Sequence, residues 1–197
     1  SLSFALMLWL LGSAARDADE GRFRFRTALL VAALIASHFF TSVMAALLMA
    51  AIPLLKPRAG FRRAVAVLAA EGALGTTLMA WWLVPLVAKN AYAVDFGENW
   101  PVSPWRSLPP YAWALIPFAV AALARCRAKG GARFVLLAGG LAGAAALLFF
   151  HGFAVSPVFV NVRLWPFMLF GLTALGAGGL GLLLAGRLLL KRGQVQA

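Results

Sequence analysis

Acidic residues are nearly missing from this sequence: six Asp and Glu stand against 18 Lys and Arg in 197 residues, a formal net charge of +12. Charge of either sign is scarce, at 12% of residues, where soluble domains carry roughly 25%. Hydrophobic residues make up 63% of the chain, and the mean hydropathy is +0.88. A soluble fold of this length has too little interior to hide that much apolar surface, and a disordered chain would not contain it. A lone soluble enzyme is therefore excluded, and an integral membrane protein is expected. The single cysteine, Cys126, excludes an internal disulfide. The two histidines, His38 and His151, have no cysteine or acid near them in sequence, which gives little footing for a zinc site. No metal or other cofactor is expected within these residues, while a divalent metal stays open for a longer parent protein.

In a soluble protein the basic excess would suggest nucleic acid. In a polytopic membrane protein it marks cytoplasmic loops, so no nucleic-acid partner is expected, and membrane lipids are. The chain opens with Ser1 inside an apolar stretch, without an initiator Met or a basic segment ahead of it. A signal peptide is therefore not expected, and a longer parent protein is.

Charged residues cut the chain into apolar runs, and about 20 such residues cross a bilayer as a helix. The expected spans are 1–13, 27–54, 64–88, 110–124, 134–152 and 164–186, with an outer loop at 89–109. The runs are continuously apolar and lack the alternation of barrel strands. The expected fold is all-α: a polytopic transmembrane helix bundle of about six spans, with 1–197 part of one membrane domain. Three basic clusters belong on the cytoplasmic side: Lys56, Arg58, Arg62 and Arg63; Arg125, Arg127, Lys129 and Arg133; and Arg187, Lys191 and Arg192. The loop 89–109, rich in Trp and Pro, then lies outside.

The first loop conflicts with this scheme. Residues 16–26 hold four arginines beside Asp17, Asp19 and Glu20, yet a single span over 27–54 would put them outside. Either the loop is an exception to the rule, or 27–54 is broken near 38–42, where Ser37, His38, Thr41 and Ser42 crowd four polar residues into six. The break is the preferred reading. Glycines at 139, 140 and 143, and at 176, 178, 179 and 181, have the spacing of closely packed membrane helices. They have no preceding strand and are not phosphate loops.

Six residues stand out as polar or ligand-binding candidates. Glu71 is the one acid within an expected span, so it faces protein, with a polar or basic partner. It is either a relay or ligand group, or a structural carboxyl. His38 is either a packing residue at the helix break or, less readily, a ligand. Tyr92, Asp95 and Glu98 share the outer loop with Trp100 and Trp105, where carboxylates beside rings suit sugar recognition; an ordinary solvated loop is the alternative. Arg163 opens the last span at outer headgroup depth, either as a phosphate contact or as a snorkelling anchor. Arg163, Asp95 and Glu98 are expected to line one outer cavity. Pro85 is expected to kink the end of the third span.

Three short motifs carry a resemblance: Ser37-His38 in an apolar run, Trp-Leu-x-Pro-Leu at Trp82–Leu86 followed by Tyr92, and Arg-x-x-Pro-Phe at Arg163–Phe167. Together they resemble the prokaryotic integral membrane family labelled 6-pyruvoyl-tetrahydropterin synthase-related, which is not a family of pterin enzymes and looks like a branch of the GT-C glycosyltransferases. The resemblance implies a GT-C-like fold in the inner (plasma) membrane of a prokaryote, and a parent protein that transfers a sugar from a polyprenyl-phosphate donor at the extracytoplasmic face. Ala93 stands where the family usually has Thr after the loop Tyr. The acid that catalyses GT-C transfer belongs to a first outer loop that no residue of this chain matches, so no catalytic residue is assigned. The competing readings are a transporter or flippase component with Glu71 as coupling acid, and a non-catalytic structural membrane subunit.

Overall fold

The computed structural model describes residues 2–89, 106, 108–125, 131–155 and 161–195, almost all of them helical, with no strand among them. Two helices are long and apolar enough to cross a membrane, within 134–152 and 161–184, and a third if 58–78 and 80–88 count as one bent span. The chain separates into two compact units, residues 1–97 and 98–197.

In the first unit, α1 covers Leu2–Glu20, α2 Phe25–Ser37, α3 Phe39–Ala51, α4 Arg58–Leu78 and α5 Ala80–Ala88. Helix α1 continues past its apolar stretch and stops at Gly21, whose φ of 62° puts it in the left-handed region that glycine reaches without strain. The Arg22 amide closes back on the Asp17 carbonyl at 3.1 Å, a Schellman stop. The run 27–54 is not one helix. His38 adopts extended geometry (φ −168°, ψ 111°) between α2 and α3. Ser37 donates to the Leu34 carbonyl and Ser42 to the His38 carbonyl, each beside a main-chain amide bonded to the same oxygen, so local hydroxyls compete for backbone groups on either side of the break. Helix α3 tightens into a 3-10 turn at Ile52–Leu55, where Pro53 cannot continue the amide ladder.

Both ends of the α2–α3 pair return to the same end of α1. Thr27 bonds to Asp17, and Lys56, just after α3, pairs with Asp19. Were the pair straight, its ends would lie about 40 Å apart at 1.5 Å per residue. It is therefore a hairpin with its tip at His38. Each arm has 13 residues and a length of about 20 Å, short of a hydrocarbon core of about 30 Å.

The third run departs from expectation in a different way. The chain bends by 75° between α4 and α5, and the bend is at Met79, not at Pro85. Met79 is buried in a cluster with Ala32 and Ile35, against which Leu83 also packs. This apolar anchor turns the chain over the distal part of α2. Pro85 sits inside the nine-residue α5, whose Lys89 amide still closes on the Pro85 carbonyl. No residue of α5 is buried, and Trp81 and Val87 are each 73% exposed.

In the second unit, α6 covers Pro110–Arg125, α7 Gly131–Val155 and α8 Trp165–Val195, with a 3-10 turn at Asn161–Arg163 leading into α8. Its core joins all three helices through Ala119, Ala138 and Leu175. A Cβ on Gly179 would collide with the Phe118 carbonyl group of α6, and one on Gly171 would stand 2.7 Å from the Ala138 carbonyl oxygen of α7. The helices approach to backbone contact, the role glycine commonly has in membrane bundles.

Candidate functional site

Four of the six acids in the sequence, Asp17, Asp19, Glu20 and Glu71, are gathered at the basic end of the first unit. Asp17, Thr27 and Glu71 are all fully buried. One Asp17 oxygen accepts from the Thr27 hydroxyl at 2.5 Å. The other accepts from Arg24 Nη1 at 2.7 Å, while Arg24 Nη2 donates to Glu20 at 2.5 Å. Glu71 Oε1 accepts from the Arg24 backbone amide at 2.9 Å. Arg24 is the residue that caps α2, so two carboxylates meet the N-terminal turn of that helix. Its unpaired amides and positive dipole end favour negative charge there. Beside this cluster, Lys56 pairs with Asp19, and Arg63 Nε donates to the Gly21 carbonyl at 3.0 Å.

Glu71 thus faces protein and has a hydrogen-bond partner, but that partner is a main-chain amide supplied by the first loop. Its second oxygen, Oε2, is enclosed and meets no donor among the described residues. The Asp17 carboxylate is close enough to act on it electrostatically, and two carboxyl groups can bond each other only when one carries a proton. The arrangement joins the start of α2 to the middle of α4. Asp17, Arg24 and Thr27 were not singled out from the sequence. The available signal was the concentration of half the chain's acids within four residues, followed by a glycine and three arginines.

His38 caps α3. Its Nδ1 accepts from the Thr41 amide at 3.3 Å and lies 3.0 Å from the Thr41 hydroxyl. The residue is exposed at the hairpin tip. Arg163 is half-buried in the last residue of the 3-10 turn before α8. Asn161 braces that turn by accepting from the Val162 amide at 2.8 Å. Tyr92, Asp95 and Glu98 lie outside the described residues, and with them the expected cavity shared with Arg163. No group of three or more His, Cys, Asp or Glu able to hold a metal occurs among the described residues.

The first unit also contains a cavity of about 490 Å³ between α2, α3 and α4, open on one side. Its walls include Leu34, Ile35, Phe39, Met49, Leu68 and Gly72, with only Ser42 and Thr76 contributing hydroxyls. Glu71, on the adjoining face of α4, does not line it. Comparison with protein-family models, characterised proteins and solved structures finds no match to this chain.

Proposed function

We propose that the chain is part of an integral membrane protein related to the GT-C glycosyltransferases, located in the inner membrane of a prokaryote. The observation that carries this reading is where the three motifs fall. Ser37-His38 is the break between α2 and α3. Trp82–Leu86 lies on α5, beyond the 75° bend. Arg163–Phe167 crosses from the 3-10 turn into α8. Interrupted backbone at membrane depth is tolerated where it lies against protein or a polar cavity, and such breaks are favoured places for recognition in membrane proteins.

In this reading the six apolar runs become five crossings, α1, α4, α6, α7 and α8, plus the α2–α3 hairpin. The basic loops face the cytoplasm, and loop 89–109 and Arg163 face outward. A polyprenyl-phosphate donor presents its phosphate to Arg163, whose planar guanidinium suits phosphate oxygens. The base that activates the acceptor belongs to a part of the parent protein outside these 197 residues. A transporter or flippase component would use Glu71 as its coupling acid. Its enclosure and its bond across α2 and α4 support a structural role instead, and a purely structural subunit is the plainer alternative.

The test is transfer by the parent protein, reconstituted in vesicles with radiolabelled polyprenyl-phosphate sugars. Arg163→Ala is expected to weaken donor binding by about ten-fold or more, with Arg163→Lys a partial rescue because an ammonium lacks the planar fork. Failure to transfer from any polyprenyl donor, in vesicles that do move a solute, would replace this reading with the transporter.

A further inference from the structure

We propose that the cavity of the first unit binds an anionic phospholipid of the leaflet at its basic end, with an acyl chain in the cavity and the phosphate on Arg58 and Arg62. The geometry of α4 carries the argument. The cavity is lined along this helix by Val65, Ala69, Gly72 and Thr76, at alternating steps of four and three that keep one face of a helix. The same steps continued toward the N-terminus reach Arg62 and then Arg58. The helix face that forms the apolar wall therefore continues, one and two turns beyond Val65, to Arg62 and Arg58 at the end of the helix. Both are exposed, and together with Ala59 and Phe61 they line a shallow depression.

The neighbouring basic residues are engaged differently. Lys56 is paired with Asp19, Arg24 with Asp17 and Glu20, and Arg63 with the Gly21 carbonyl. Among the described residues Arg58 and Arg62 have no ion pair of this kind, and like charges four residues apart on a helix repel. An anion between them removes that repulsion, and guanidinium groups suit phosphate oxygens through paired, charge-assisted bonds. Basic pockets beside membrane helices are known anchor points for anionic headgroups. The cavity volume falls in the range of roughly 300–1,000 Å³ typical of ligand sites. At the cavity wall, a Cβ on Gly72 would meet nothing within 4 Å, so the space beside it is open.

The site stands on the cavity and its charged rim alone, and it remains if the transferase reading fails. The test uses the purified chain in a mild detergent, titrated with dioleoyl-phosphatidylglycerol or with dioleoyl-phosphatidylcholine. Thermal unfolding and native mass spectrometry read the binding. Phosphatidylglycerol is expected to bind saturably and about ten-fold more tightly than phosphatidylcholine, with a preference that falls as salt rises. Arg58→Gln with Arg62→Gln should bring the two lipids to equal, weak affinity without lowering the lipid-free Tm, because both side chains are exposed. Gly72→Phe should weaken both lipids by occupying the chain's space. Glycerol phosphate, the headgroup without chains, should not shift Tm. The proposal is overturned by equal affinity for the two lipids in the unmodified chain, or by full phosphatidylglycerol affinity in either variant. A glycerol phosphate shift as large as the lipid's would equally overturn it, since it would mark a free-phosphate site.

Discussion

Both units bring glycines against a neighbouring backbone, Gly75 in the first and Gly171 and Gly179 in the second, yet they secure their helices differently. In the second, helices meet through glycines at backbone contact, as at Gly171 and Gly179, around an apolar cluster of Ala119, Ala138 and Leu175. In the first, apolar contacts are joined at one end by a charged cluster in which Asp17, Arg24, Thr27 and Glu71 tie α1, α2 and α4 together. Glycine contacts have no sidedness and work at any depth. A carboxylate–guanidinium cluster costs least where part of it reaches water, and the Arg24 side chain is 32% exposed. The charged cluster therefore does what glycine packing cannot: it fixes which ends of the helices share a side. It holds the loop 16–26 beside Lys56 and Arg63, which removes the conflict that a single span over 27–54 creates.

Five substitutions would break or sharpen this contrast, each read as the change in unfolding free energy of the purified chain in detergent. Asp17→Ala has the largest expected effect, a loss of about 3 kcal/mol, because it leaves Arg24 Nη1 and the buried Thr27 hydroxyl without their acceptor, with Glu20 alone still holding the guanidinium. Gly179→Val follows at about 2 kcal/mol, since the α6 carbonyl on the other side is backbone and cannot rotate away. A paired test on α4 comes next. Gly75→Ala puts a Cβ 2.6 Å from the Ala28 carbonyl oxygen and should cost about 1–2 kcal/mol. Gly72→Ala meets open space and should gain about 0.5–1 kcal/mol from helix propensity. Equal effects at the two positions would contradict the packing of α4 on α2. The smallest effect is expected for Glu71→Gln, within about 1 kcal/mol, because the amide keeps an acceptor for the Arg24 main chain and adds a donor beside Asp17. A large loss there would mean that the cluster depends on the Glu71 charge.

The local features were legible in sequence where one short segment contains the whole cause. Ser37, His38, Thr41 and Ser42 signal a break because hydroxyls and an imidazole compete for backbone groups within a turn of themselves, and the break is at His38. The helical class followed from uninterrupted apolar runs. The glycines were legible as a class and not one by one: Gly179 and Gly171 meet backbone, whereas Gly143 and Gly181 face open space, a distinction set by a partner helix that the spacing does not specify. The bend at Met79 was hidden for the same reason. Its cause is the apolar cluster with Ala32 and Ile35, more than 40 positions away, whereas Pro85 offered a local cause that α5 accommodates. Glu71 announced itself as a lone acid in an apolar run. Its partner did not, because a main-chain amide of the first loop has no side-chain signature.

The hairpin is the central claim, and cysteine accessibility in intact cells tests it most directly. In a Cys126→Ser background, Arg22→Cys and Ala59→Cys place one thiol in each of the two basic loops flanking α2 and α3. A membrane-impermeant maleimide is expected to leave both unmodified in intact cells and to label both after permeabilisation, as the positive-inside rule predicts for two basic loops on one side. Labelling of position 22 without position 59, or the reverse, would make 27–54 a crossing and contradict the account.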